Sequence, residues 1–122
     1  MNSKLSSAIG FAMKAGRLKS GGYVVEKLIR AKQALIALID TTASDNTKDQ
    51  YRDMCAYATV ELVEIEELGR WIGKPGRMVA AVTDEAFTQM IRRALAQEKT
   101  EQEKTEQEKT EQEKTEPDKA ET

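Results

Sequence analysis

Lys19-Ser20-Gly21-Gly22 runs into a helical pattern, and that junction is where this sequence could hold a ligand. The first amides of a helix have no intrahelical acceptor, and the helix dipole places partial positive charge there. Glycines at such a terminus let a phosphate or a base edge come close. Cations frame the junction: Lys14, Arg17 and Lys19 precede the glycine pair, and Lys27 and Arg30 follow it at i,i+3 on the outer face of the helix. Cations arranged this way track a polyanionic backbone. Tyr23 is the aromatic residue within the patch, so a shape-based grip on a folded RNA is expected over a stacking platform for single strands. The plainer alternative is a solvated basic surface that keeps the domain soluble.

Other chemistry is thin. Lys74-Pro75-Gly76-Arg77 leads into a strand, so it lacks the helix start that a phosphate-cradling Walker loop requires. Glu61, Glu64, Glu66 and Glu67 fall on a strand edge and a helix start, where acids are favoured structurally. Cys55 sits on an apolar helix face beside Met54 and Ala58 and reads as a buried, inert thiol. The chain has no His and one Cys. Ser-His and Cys-His nucleophiles, His-ligated metals, internal disulfides and thiolate zinc cages are therefore excluded. Without a paired acid/base cluster, a non-enzymatic protein is expected, with no catalytic residue, no metal, no cofactor and no small-molecule substrate.

The elements that would position the basic junction follow from periodicity. Leu5, Ala8, Ile9 and Ala12 make the apolar stripe of a first helix that Gly16 ends, and Arg17–Lys19 is a short strand. Gly21-Gly22 opens a second helix with Val24, Val25, Leu28 and Ile29 inward. Ala34–Ile39 is apolar throughout, as a strand covered on both faces should be. Ser44 starts a third helix carrying Tyr51, Met54, Cys55 and Ala58. Leu62, Val63 and Ile65 form a brief strand, Glu66–Ile72 a short helix closed by Gly73, and Met78–Val82 a strand. Asp84 caps a last helix with Phe87, Met90, Ile91, Ala94 and Leu95 inward. This alternation predicts a three-layer α/β/α sandwich with a small four-stranded mixed, mostly parallel sheet.

Charge divides the chain in two. Residues 97–122 hold five Lys and ten Asp/Glu, with Ala120 as their one hydrophobic residue. Subtracted from 19 basic and 21 acidic residues, they leave 14 and 11 in residues 1–96, a charge of +3 against −5 for the tail. The tail is built on four copies of Gln-Glu-Lys-Thr-Glu, ended by Pro117. A five-residue repeat turns a helix by about 140° each time, so no face accumulates. With nothing apolar to bury, the tail is expected to be disordered or an isolated helix, and residues 1–96 to be the folded domain. The longest apolar run, Ala34–Ile39, is too short to cross a membrane. Ser6, Ser7 and Lys14 break the signal-peptide pattern, so a cytoplasmic location and no membrane partner are expected.

Taken in order, several segments resemble the ribosomal protein L7Ae family. They are Ile9-Gly10-Phe11-Ala12-Met13-Lys14-Ala15-Gly16, Leu18-Lys19-Ser20-Gly21, Asp45-Asn46-Thr47-Lys48, Glu67-Leu68-Gly69-Arg70-Trp71-Ile72-Gly73-Lys74 and Val79-Ala80-Ala81-Val82-Thr83-Asp84-Glu85-Ala86-Phe87. The resemblance covers nearly all of residues 5–92. It implies an α/β/α sandwich that docks the start of its second helix, and the loop before its last strand, into kink-turn RNA. By position, Gly21, Gly22, Tyr23, Lys27 and the loop Lys74–Met78 are the candidates; recognition is expected at Lys19, Gly21, Gly22, Tyr23 and Lys27, with Lys74, Gly76 and Arg77 across the cleft. The family pattern has Asn and then Glu where this chain has Tyr23 and Val24, with Val24 expected in the core. Kink-turn selectivity should then be weaker than general RNA affinity. The expected partner is a structured RNA, with ribosomal RNA the expected kind, bound by a monomer. The alternative is a protein-interaction module on the same scaffold.

Overall fold

The structure is a computed structural model, and it describes residues 3–98. In chain order the elements are α1 (Ser3–Lys14), β1 (Leu18–Ser20), α2 (Gly22–Arg30), β2 (Ile36–Asp40), α3 (Asp45–Ala58), β3 (Glu61–Ile65), α4 (Leu68–Ile72) and β4 (Val79–Val82). A final helix, α5, occupies residues 85–98. The repeat tail expected over 97–122 lies outside the described residues, apart from Gln97 and Glu98 in α5.

The strands form one four-stranded mixed sheet in the order β1-β4-β2-β3. Alternation along each strand builds the sandwich. Ile36, Leu38, Ala80 and Val82 point to the face covered by α1, α4 and α5, in a core with Leu5, Ile9, Leu18, Ile65 and Ile91. Ala37, Ile39, Val79 and Ala81 point to the other face, against Val25 and Ile29 of α2 and Tyr51 and Cys55 of α3. Each fully buried Leu or Ile contributes roughly 1.5–3 kcal/mol. Side-chain caps fix two helix starts: Ser44 Oγ accepts from Thr47 N at 3.1 Å, and Asp84 Oδ2 from Phe87 N at 3.0 Å.

The mostly parallel pairing expected of the sheet is corrected. Among the described residues only β2 and β3 pair in parallel, whereas β4 is antiparallel to both β1 and β2. The three strands β1, β2 and β3 share one direction, and β4 lies reversed between two of them. The cause is the brevity of α4. Its five residues span about 7.5 Å, too little to carry the chain back along a strand. The connection stays at one end of the sheet, and β4 starts where β3 stopped. As a result, the ends of β1, β2 and β3 and the start of β4 gather their loops together.

Two side chains expected inside are outside. Val24 is 41% exposed, because Val25 and Ile29 take the inward face of α2. Met90 is 38% exposed and faces a groove between α1 and α5 with Phe11.

Candidate functional site

Gly21 turns the chain from β1 into α2 with φ 102° and ψ 141°, and as N-cap it offers no side chain to cap the helix. Its amide donates to Val79 O at 3.1 Å, which pins the turn to the first residue of β4. The first intrahelical bond runs from Val25 N to Gly21 O at 3.0 Å. Helix geometry leaves the Gly22, Tyr23 and Val24 amides ahead of that bond without an intrahelical acceptor, and all three residues are exposed. The amide-rich terminus thus opens to solvent.

The loop before β4 reaches across to this turn. Arg77 donates from Nη1 to Ser20 O at 3.0 Å and to Ser20 Oγ at 3.3 Å. A methyl group built on Gly21 would lie 2.5 Å from that same nitrogen. Arg77 therefore places a fixed positive charge beside the α2 terminus. Pro75 and Gly76 shape the loop, with Arg77 N donating to Lys74 O at 3.2 Å. Gly69 of α4 seats it: a Cβ there would lie 2.8 Å from Lys74 O and 3.2 Å from Gly76 N.

The remaining cations fall around this core of the site. Lys27 holds its ammonium 5.6 Å from the centroid of the Tyr23 ring, one helical turn away, a cation–π contact on the open end of α2. Lys19 is exposed on edge strand β1 and registers with Ala81. Ala81 belongs to the core under α2, so Lys19 lies on the α2 side of the sheet. The Lys74 side chain is exposed at the base of the loop. The fold thus brings Gly21, Gly22, Tyr23 and Lys27 together with Arg77, while Lys19 and Lys74 stand exposed at the margins.

Asp40 is a residue that sequence reasoning missed. It closes β2 and is buried. Its Oδ1 accepts from Leu68 N at 2.8 Å, capping α4, and its Oδ2 accepts from the Thr42 amide at 2.8 Å and from the Thr42 hydroxyl. Burial works against its charge, but the Thr42 hydroxyl, the Thr42 and Leu68 amides and the Lys48 cation together hold the carboxyl below its ordinary 3.8. Asp40 therefore ties the end of β2 to the start of α4 and positions α4, which in turn seats the Arg77 loop. A cavity of about 520 Å³ opens there, lined by Asp40, Thr42, Arg70, Gly76, Arg77 and Met78. The only hint in the sequence was an acid directly after an apolar strand.

The acidic residues set aside as structural carry structural contacts. Glu61 pairs with Arg92 at 3.0 Å, Glu67 with Arg70 at 3.1 Å, and Glu64 with Arg52 at 3.4 Å and Lys48 at 3.5 Å. Cys55 is buried, and burial pushes its thiol pKa up. Among the described residues no helix is long and apolar enough to cross a membrane.

Known proteins resemble this chain at both levels. The RNA-binding protein YlxQ of Bacillus subtilis (strain 168) is 38% identical over 86 residues, covering 68% of this chain and 86% of its own length. A protein of the same name from Enterococcus faecium is 34% identical over 95 residues, covering 75% of this chain and 91% of its own. Among solved structures, a Bacillus halodurans protein of unknown function superposes with a TM-score of 0.70 at 28% identity, covering 75% of this chain and 95% of the other. The Giardia lamblia 15.5kD RNA binding protein superposes with a TM-score of 0.64 at 18% identity, over 80% of this chain and 89% of the other, a likeness of fold. The profile of the family described as ribosomal protein L7Ae/L30e/S12e/Gadd45 matches residues 3–91, most of the folded region, and the chain belongs to that family.

Proposed function

We propose that this chain is a non-enzymatic RNA-binding protein that grips a sharply bent, kink-turn type RNA as a monomer. The observation that carries the reading is the open first turn of α2, with three exposed amide-bearing residues, bracketed by Arg77 on one side and Lys27 on the other. Amides there donate to phosphate oxygens and guanine edges, and the cations neutralise backbone charge. The names of its relatives, both RNA-binding proteins, support the same class of partner.

Tyr23 and Val24 shape the selectivity. They stand exposed where the family pattern has Asn and Glu, and they offer a ring and an aliphatic surface in place of groups that read base edges. Each bidentate base contact in DNA complexes is worth roughly 1–3 kcal/mol of discrimination. Recognition here then rests on shape and backbone charge, with modest preference among sequences. Ribosomal RNA, rich in sharp bends, is the first class to test.

Titration of the full chain against a kink-turn RNA and a straight duplex, at several salt concentrations, tests the reading. Micromolar or tighter binding with preference for the bend is expected. No detectable binding to either RNA overturns it.

A further inference from the structure

The three tyrosines of the chain lie on α2 and α3, two helices that pack against each other. Tyr51 and Tyr57 line a groove of about 800 Å³ between α2 and α3. Tyr23 stands on the first turn of α2, next to Gly22, which also lines that groove. Tyr51 is buried, and its hydroxyl donates to Gly22 O at 3.3 Å, so the floor of the groove is tied to the start of α2. Tyr57 is at the lip and 89% exposed; Tyr23 is 77% exposed. Packing of α2 on α3 makes the groove continuous with the proposed RNA-binding terminus through Gly22, with Tyr57 further along α3 than the Tyr51 that bonds Gly22.

The chemistry of the groove differs from that of the terminus. Its charges balance, with Glu26 and Asp53 against Arg30 and Lys32. A track for phosphates carries excess positive charge; a balanced groove suits a neutral group. Tyr57 offers a π-face, which any base can stack on. Gln50, also in the lining, has both donors and an acceptor for a base edge. Gly22 belongs to both surfaces, so a strand leaving the α2 terminus passes directly onto the groove.

We propose that the α2–α3 groove seats an unpaired nucleobase from the strand flanking the bent RNA, stacked on Tyr57. The proposal rests on the RNA-binding reading above and extends it from a shape-based grip to a single-stranded subsite. The ring of Tyr57, not its hydroxyl, does the work.

The test measures affinity of the full chain for a kink-turn RNA with blunt ends and for the same RNA with a short single-stranded adenosine extension. Wild type, Tyr57→Ala and Tyr57→Trp are compared. Tyr57 is so exposed that both variants keep the fold, which circular dichroism checks. The extension should tighten wild-type binding by about 5- to 150-fold, the range of base–aromatic stacking. Tyr57→Ala should abolish that gain, Tyr57→Trp should keep it, and all three should bind the blunt RNA alike. If the extension gives no gain, or Tyr57→Ala retains it, the groove is not a base subsite, while blunt-RNA binding leaves the terminus reading intact. If wild type binds neither RNA, both readings fall.

Discussion

A methyl group on Gly21 would collide with the Arg77 guanidinium on a backbone with φ 102°, whereas one on Gly22 would meet only the Tyr51 hydroxyl at 3.6 Å. The two neighbours therefore separate folding from binding. Gly21→Ala should cost roughly 1–3 kcal/mol of stability in a denaturant titration, from the strained backbone alone. Gly22→Ala should leave the thermal midpoint unchanged or slightly raised, since Ala favours the helix, yet weaken RNA binding by crowding the open amides. Asp40 tests the support beneath the site. Its folded-state pKa is lowered, so its contribution is complete above the ordinary 3.8 and disappears as pH falls through that value to the folded one. Asp40→Asn should lose roughly 1.5–3 kcal/mol at neutral pH, the worth of hydrogen bonds to a charged group. Urea titrations of the variant below pH 5 should show a flatter decline than wild type.

At the scale of elements, Gly73 marked the end of the short α4, while periodicity identified the four longer helices from their apolar stripes. Periodicity could not tell the buried centre of a stripe from its exposed edge. Val24 and Met90 carry apolar side chains beside the fully buried Val25 and Ile91, yet both are exposed. The direction of β4 was equally hidden, since it depends on the length of α4 in space rather than on any residue of β4. The Arg77 bridge to Ser20 joins residues distant in sequence, so spacing could place both near the site but not in contact. Gly69 connects these elements. A Cβ there presses on the Lys74 carbonyl, so Gly69→Ala should push the loop off α4, lowering the melting temperature and the RNA affinity together. Thr88 makes the opposite prediction. Its buried Oγ1 has no hydrogen-bond partner among the described residues, so Thr88→Val should raise stability by up to about 1–3 kcal/mol in thermal unfolding, the desolvation cost removed.

For the whole molecule, the division of charge decides how binding responds to salt. About three to five phosphate contacts would give a log–log slope of roughly −2 to −4 between affinity and salt. Residues 99–122 carry five Lys and nine Asp/Glu and repel the same polyanion. A chain ending at 98 should bind RNA more tightly than the full chain at low salt, the two converging as the Debye length shrinks to about 3 Å near 1 M salt. The most direct measurement of the central claim is a map of backbone amide shifts by nuclear magnetic resonance as kink-turn RNA is added. Large changes confined to residues 19–27 and 74–78 are predicted. Changes centred on the α1–α5 face around Phe11 and Met90, with the α2 terminus unmoved, would contradict it.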